Sequence, residues 1–366
     1  MKIIELVKKL ENLAPIKYAE EYDNVGLLTG NSNDEVTGVL CTLDCTEAVV
    51  DEAIQTNCNL IVAHHPIIFK GLKKITGQNY VQRTIINAIK GNIAIYAIHT
   101  NLDNAQNGVN NYFANTIGLV NKKVLQPLNH SLFKLIVFIP KDHLSVVENA
   151  MFNAGAGNIG NYSEVSFYTE GNGNFKGNEN ANPAMGKKLT RHTEPEYKTE
   201  VIVPSHLLQN VVNAMVKAHP YEEVAYDCIA LSNKNYSLGA GVVGELPNAM
   251  EVKQLFDVLK SKLNCTIRHS PICKNKVKQV ALCGGSGSFL LNDAIKAEAD
   301  VFITSDFKYH EFFDADNQII IADVGHFESE QFTRNLLADY IQNCIKNIAT
   351  FAVRLSEVNT NPINYY

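Results

Sequence analysis

The sequence predicts an α/β protein: a discontinuous α/β domain with a largely parallel sheet, interrupted by an inserted ferredoxin-like βαββαβ domain. Three observations carry this expectation. Short apolar runs alternate with amphipathic stretches at both ends of the chain, the grammar of βα units. The middle repeats itself. Metal-ligand residue types recur where the apolar runs end, and in parallel sheets that edge is where ligands bind.

The opening residues Met1-Lys2-Ile3-Ile4-Glu5-Leu6-Val7-Lys8-Lys9-Leu10 carry charges through an apolar run. They read as an amphipathic helix and not as a signal peptide. Residues 36–43 read as a strand and 46–58 as a helix. Leu60–Ala63 is wholly apolar, the pattern of a strand buried on both faces. A helix over Tyr80–Lys90 and a strand over 93–98 follow, ending at His99-Thr100-Asn101-Leu102-Asp103. The last third resumes with strands over 277–282, 301–304 and 319–322. A glycine turn, Gly284-Gly285-Ser286-Gly287-Ser288, opens a helix over 289–299, and a further helix runs through 332–337.

Between these flanks, Phe133-Lys134-Leu135-Ile136-Val137-Phe138-Ile139-Pro140 answers Tyr197-Lys198-Thr199-Glu200-Val201-Ile202-Val203-Pro204. At the same offset Asn149-Ala150-Met151 matches Asn213-Ala214-Met215. Each copy reads strand, proline, helix, then a second strand at 164–168 or 224–231, which is βαβ twice. The polar, glycine-rich run 171–180 between the copies reads as a loop. Residues 129–238 are therefore expected to form the insert, with 1–128 and 239–366 completing the outer domain.

The formal charge of −6 argues against a broadly basic nucleic-acid-binding face. No apolar run reaches the length of a membrane span. The 8 cysteines are scattered without a CxxC pair, and read as reduced, buried packing residues of a cytoplasmic protein.

Polar residues at the predicted strand ends are Asp44, His64 with His65, His99 with Asp103, Ser305 with Asp306, and Asp323 with His326. Glu330 follows His326 by four, so both can face one centre on a helix. Imidazole and carboxylate together suit zinc, manganese or iron(II). The candidates His64, His65, Asp103, His326 and Glu330 are too many for one tetrahedral zinc and fit two metals sharing a carboxylate. Such a pair activates water for hydrolysis of phosphoesters, amides or ring C–N bonds. His99 reads either as a metal ligand or as a residue orienting one through its ring N–H. Asp44 and Asp306 read as turn or cap residues. Gly284–Ser288 reads as a tight turn, or as a cradle for phosphate if its N–H groups are free. It has neither P-loop nor dinucleotide spacing. Tyr309 and His310 are candidates for acid–base or substrate contacts, or simply begin a surface helix. His219-Pro220-Tyr221-Glu222-Glu223 reads as a turn, with a second ligand site as the alternative.

Several of these stretches resemble the NIF-three-like proteins, often named GTP cyclohydrolase 1 type 2 homologues. They are Glu20-Glu21-Tyr22-Asp23-Asn24-Val25-Gly26-Leu27, Ala63-His64-His65-Pro66, His99-Thr100-Asn101-Leu102-Asp103, Gly284-Gly285-Ser286-Gly287, and Asp323-Val324-Gly325-His326-Phe327-Glu328-Ser329-Glu330. The stretch His219–Tyr226 resembles the PII- and CutA-like insert of the longer bacterial members. The resemblance implies a dinuclear metal site with ligands His64, His65, Asp103, His326 and Glu330, Glu330 bridging, with zinc first among the candidate metals. It implies a ring-shaped homohexamer with sites facing an internal cavity and inserts associating in threes. It also implies hydrolysis of a nucleotide or related phosphate compound, GTP ring opening being the named possibility, with His99, Tyr309 or His310 moving protons. The alternative is a non-enzymatic metal-binding scaffold or regulator whose insert binds a partner or ligand. One departure is Tyr22, where the family commonly has tryptophan; this chain has none.

Overall fold

A computed structural model describes residues 1–366. Contacts group the chain into two compact units, Met1–Pro127 with Tyr236–Tyr366, and Leu128–Asn235. No helix is long and apolar enough to cross a membrane.

The first unit is a mixed α/β structure built on two sheets, where one largely parallel sheet was expected. The first sheet has the order Gly26–Thr29, Ala94–Ala97, Leu60–Ala63, Gly38–Thr42, Ala352–Leu355. Its last four strands are mutually parallel, and Gly26–Thr29 runs antiparallel at the edge. The second sheet has the order Arg268–His269, Ile320–Asp323, Val301–Ser305, Lys276–Ser286, Asn235–Glu251, Val120–Leu128. Only its three inner βα strands are parallel; Arg268–His269 and Asn235–Glu251 pair antiparallel to them. Each flank thus supplies three parallel strands to one sheet, and Ala352–Leu355 crosses over to complete the first. Antiparallel strands border both sheets, which shorter connections allow than parallel pairing does.

The strands Gly38–Thr42, Leu60–Ala63, Ala94–Ala97, Val301–Ser305 and Ile320–Asp323 are buried along their whole length. That explains their unbroken apolar character: both faces of each sheet are covered. The first sheet is packed on one side by Ile3–Leu13 and Thr333–Ile345 through Leu6, Leu10, Leu337 and Ile341. On the other side lie Glu47–Gln55 and Tyr80–Lys90 through Val50, Ala53, Ile85 and Ala88. At the carboxyl ends of the buried strands the backbone leaves the sheet, and side chains there are free to face a ligand.

Two local expectations are corrected here. The strand Lys276–Ser286 runs through Gly284 and Gly285, and a 3₁₀ turn, Ser288–Leu290, precedes a helix of only Leu291–Lys296. The glycines do not end the strand; they carry it past crowded neighbours.

The second unit is a four-stranded antiparallel sheet with two helices. Its strand order is Ser166–Phe175, His192–Pro204, Leu132–Pro140, Tyr226–Ala230. The helices Leu144–Asn153 and Leu208–Ala218 pack Val147, Met151, Val211 and Met215 against Leu135, Val137, Val201 and Val203. The second correction concerns residues 171–175, expected in a loop. They continue the edge strand, with Gly171 opposite Glu196 and Phe175 opposite His192. Backbone pairing there needs no apolar alternation, and Phe175 is anchored by its rings against His192 and Tyr221.

Gly108 shows how tightly the turn that carries Asp103 is wound. A Cβ at this position would lie 1.7 Å from the Leu102 carbonyl oxygen, so any side chain forces the backbone apart. Gly108→Ala is expected to lower stability by about 1–3 kcal/mol, as overpacking does. An unchanged thermal unfolding midpoint would show that the turn accommodates a side chain without strain.

Candidate metal centre

Four histidines meet in the first unit, and all four are held in the same way. His64 leaves the strand Leu60–Ala63 fully buried, and its Nδ1 donates to the Ile98 carbonyl at 2.8 Å. His65 Nδ1 is 2.8 Å from Asp44 Oδ1. His99 Nδ1 is 3.0 Å from Asp23 Oδ1. His326 Nδ1 is 2.6 Å from Asp306 Oδ2. An oxygen acceptor on Nδ1 fixes the ring and leaves Nε2 as the lone-pair nitrogen, the arrangement that orients metal-ligating histidines.

The Nε2 atoms converge on two carboxylates. His64 Nε2 lies 3.6 Å from Asp103 Oδ1 and 3.8 Å from Glu330 Oε1. His65 Nε2 and His326 Nε2 each lie 3.1 Å from Glu330 Oε2, and 3.3 Å from one another. The donors therefore fall into two sets, His64–Asp103–Glu330 and His65–His326–Glu330, each able to hold a metal ion. Glu330 belongs to both and offers one oxygen to each. A third set joins His64, His65 and His99.

Two atoms test whether a cation fits. His64 Nε2 and Asp103 Oδ1 are buried and have no hydrogen-bond partner. Leaving such atoms unpaired costs about 1–3 kcal/mol each, and a shared cation would satisfy both. The charges agree. Burial, and then the like charge of Glu330, push the Asp103 carboxyl up to about 7. Burial opposes ionisation of Glu330 as well, but hydrogen bonds from His326 and His65 and the nearness of His64 hold it well below its ordinary value. Two carboxylates, one buried and one partly buried, facing three imidazole Nε2 atoms form a donor set for divalent metal.

The elements explain the placement. His326 and Glu330 sit four apart on the helix His326–Glu330. Asp103 closes the short helix Thr100–Asp103, and Asn110 ties it in place, donating to the Asp103 carbonyl while accepting from Gly284 N–H. Gly285 has φ +61, and a Cβ there would lie 2.3 Å from Glu330 Oε1. The glycine strand thus makes room for the shared carboxylate.

That use of the glycines removes their expected alternative. Gly284 N–H is given to Asn110 and Gly285 N–H to the Ser329 hydroxyl, so these donors are not free to cradle phosphate.

Other sequence candidates separate. Asp44 and Asp306, read as turn or cap residues, instead hold His65 and His326. Asp323 is spent on Arg268 and on the Phe307 N–H. The Ser305 hydroxyl donates to the Gly285 carbonyl. Tyr309 and His310 are not brought to the cluster: their rings contact each other and Phe313, and Tyr309 borders a separate cleft with Arg268 and Phe312. The eight cysteines are free, and none joins a ligand set.

A cavity of about 350 Å³ opens on the cluster, walled by His65, His99, His326 and Phe69 and by Pro362 and Ile363 of the C-terminal segment. That segment reaches the ligands through Asp44. Thr360 Oγ1 donates to Asp44 Oδ2 at 2.8 Å, and Asp44 holds His65. Tyr22 stands beside Phe69 with ring centroids 6.2 Å apart.

A buried histidine–carboxylate cluster on a two-sheet α/β unit defines a candidate metalloprotein. The family model described as Duf34/NIF3 (NGG1p interacting factor 3) matches residues 1–362, and the chain belongs to that family. It is 37% identical over its full length to a GTP cyclohydrolase 1 type 2 homolog of Staphylococcus epidermidis, covering all of both chains. It is 37% identical to the protein of that name in Bacillus subtilis, covering 99% of this chain and 98% of the relative. Among solved structures, a Bacillus cereus protein related to NIF3 matches with TM-score 0.86 at 37% identity, covering 100% of this chain and 99% of the other. A Staphylococcus aureus protein matches with TM-score 0.76 at 30% identity, with 100% and 99% covered.

Two outcomes are expected. Gly285→Ala should retain the fold by circular dichroism yet bind far less zinc by elemental analysis, because its methyl group displaces Glu330; full zinc content would contradict this. Thr360→Val should weaken zinc binding by about tenfold, the usual effect of removing a partner that orients a ligand, while Thr360→Ser restores it. Equal affinities in chelator competition would show that Asp44 needs no such support.

Proposed function

We propose that this protein is a metal-dependent hydrolase with a dinuclear centre, acting on a nucleotide or related phosphate compound. One ion would be held by His64, Asp103 and Glu330, the other by His65, His326 and Glu330, with Glu330 bridging. Zinc suits this nitrogen-and-oxygen donor set best, with manganese or iron(II) as alternatives. The observation that carries the reading is the pair of buried, unpartnered atoms, His64 Nε2 and Asp103 Oδ1, beside a carboxylate whose two oxygens face different histidines. Bound divalent cations would lower the pKa of a water toward neutrality and polarise an electrophile.

The chain's own residues complete the site. His99 touches the cavity with its Nδ1 tied to Asp23, which leaves Nε2 to accept and return a proton. Phe69, Pro362 and Ile363 line one side of the cavity with apolar surface. Tyr309 and His310 contact each other and Phe313 rather than the cluster, so this reading gives the proton transfer to His99. The relatives' name makes GTP ring opening, hydrolysis of a ring C–N bond, the first reaction to test.

The same reading includes a cytoplasmic location, a homohexamer and no membrane partner, with any nucleic-acid contact confined to a local patch given the net charge of −6. It takes residues 1–128 with 239–366 as the metal-binding α/β domain. Residues 129–238 are taken as an inserted PII/CutA-like ferredoxin-fold domain. The strand order of the second unit, with an antiparallel strand between the two strands of each βαβ half, supports that assignment. A second reading, a non-enzymatic metal-binding scaffold or regulator, is favoured by a large separate cavity within the second unit.

The test is turnover of GTP and other nucleotides by zinc-, manganese- or iron(II)-loaded protein, followed by chromatography of the products. The hydrolase reading predicts product formation that disappears, together with bound metal, in Glu330→Gln. Metal-loaded protein that converts no nucleotide would overturn it in favour of the scaffold.

A further inference from the structure

The second unit contains a cavity of about 620 Å³, larger than the one at the metal cluster and within the range of small-molecule sites. It lies on the side of the sheet opposite the helices. Along His192–Pro204, Val201 and Val203 face the helical core, whereas Glu196 and Lys198 line the cavity, as strand alternation requires.

Its chemistry centres on Glu196. This carboxylate is only 6% exposed, yet it borders the cavity, and no lysine or arginine is paired with it. Its Oε1 accepts from the Tyr221 hydroxyl at 2.7 Å. Burial and the neighbouring carboxylate push the Tyr221 phenol well up, so it stays a donor. Tyr221 is positioned by His219, whose Nδ1 accepts the Tyr221 N–H at 3.2 Å while Nε2 donates to the Phe138 carbonyl at 2.9 Å. Gly173 makes room for the carboxylate, since a Cβ there would lie 2.1 Å from Glu196 Oε2.

The walls and rim fit one ligand class. Phe138, Phe175 and Tyr221 supply aromatic surface. Four glutamates line the cavity, Glu170, Glu196, Glu222 and Glu223, against Lys176 and Lys198. Glu170 is paired with Lys141, and Lys198 shares Glu200 with Lys134, so Glu196, Glu222 and Glu223 still outnumber the lysines Lys176 and Lys198 that line the cavity. A buried carboxylate among aromatic rings attracts a cation through charge-assisted hydrogen bonds and ring faces.

We propose that this cavity is a second ligand site, independent of the metal centre, that binds a small organic cation bearing an ammonium or guanidinium group. Glu196 receives the charged nitrogen, Tyr221 and Phe175 pack against the attached carbons, and the His219–Glu223 turn is the site's framework. A bound cation would give Glu196 Oε2 a charged donor, as the Tyr221 hydroxyl already gives Oε1 a neutral one.

The test is calorimetric titration of the full chain with agmatine, which carries both groups, with n-butylamine and spermidine as further amines and glutarate as an anionic control. Saturable binding of at least one amine, one per chain, and none of glutarate is expected. Glu196→Gln should weaken it by at least about tenfold. Ala184→Trp, which fills the cavity from its rim, should abolish it without touching the carboxylate. Asp103→Ala, in the metal centre, should leave it unchanged. Circular dichroism reports whether each variant has folded, and bound zinc does so as well for the two cavity variants. No binding of any of the three amines, or binding unaffected by both cavity variants, would overturn the proposal. Amine binding lost in Asp103→Ala would place the amine at the metal centre and overturn it equally, whatever the outcome for nucleotide hydrolysis.

Discussion

The shared carboxylate of Glu330 is the constraint around which the first unit is organised. It is 2% exposed, and its two oxygens face different histidine sets. A buried carboxylate is costly unless positive charge or hydrogen bonds surround it. The fold therefore brings the carboxyl ends of two separate sheets to one place. His64 and His65 come from one sheet, and the helix that carries His326 and Glu330 comes from the end of the other. Gly285, on a third strand, leaves the space that the carboxylate fills. Moving either sheet would break the cluster.

A second layer holds the first. Asp23, Asp44, Asp306 and the Ile98 carbonyl each take one Nδ1, so no ring can turn away. Three of those acceptors are carboxylates, which raise the basicity of the imidazole they hold. Burial lowers the His65 imidazole's tendency to hold a proton, but Asp44 and Glu330 raise it to about 9; His326 rises to about 11 through Asp306 and Glu330. Protons there balance the carboxylates when no cation does, and divalent cations would take over that balance. The C-terminal segment adds a further clasp through Thr360 and Asp44, so residues far apart in sequence share one network.

Much of this was legible in the sequence, and the reason is strand grammar. Leu60–Ala63 is too short and too apolar to be anything but a buried strand, so His64 and His65 had to lie at its exit. The i, i+4 spacing of His326 and Glu330 held on a real helix. Residues 133–140 and 197–204 were recognisable as repeats because each buries one face on a helix. The carboxylates behind the histidines were not legible. Asp44 and Asp306 look like any turn aspartate until the fold brings them to histidines 20 or 21 residues away. Thr360 meets Asp44 across 316 residues. The glycines at 284 and 285 suggested a tight turn, with a phosphate cradle as the alternative, because sequence shows flexibility without showing what approaches. The single parallel sheet became two because pairing across the insert leaves no local signal.

The most direct measurement is anomalous diffraction from crystals grown with zinc, collected above and below the zinc absorption edge. The account predicts two peaks per chain, about 3.5–4 Å apart, one among His64, Asp103 and Glu330 and the other among His65, His326 and Glu330. A single peak with Glu330 bound through one oxygen, or none at the cluster, would contradict the bridging carboxylate and the dinuclear centre with it.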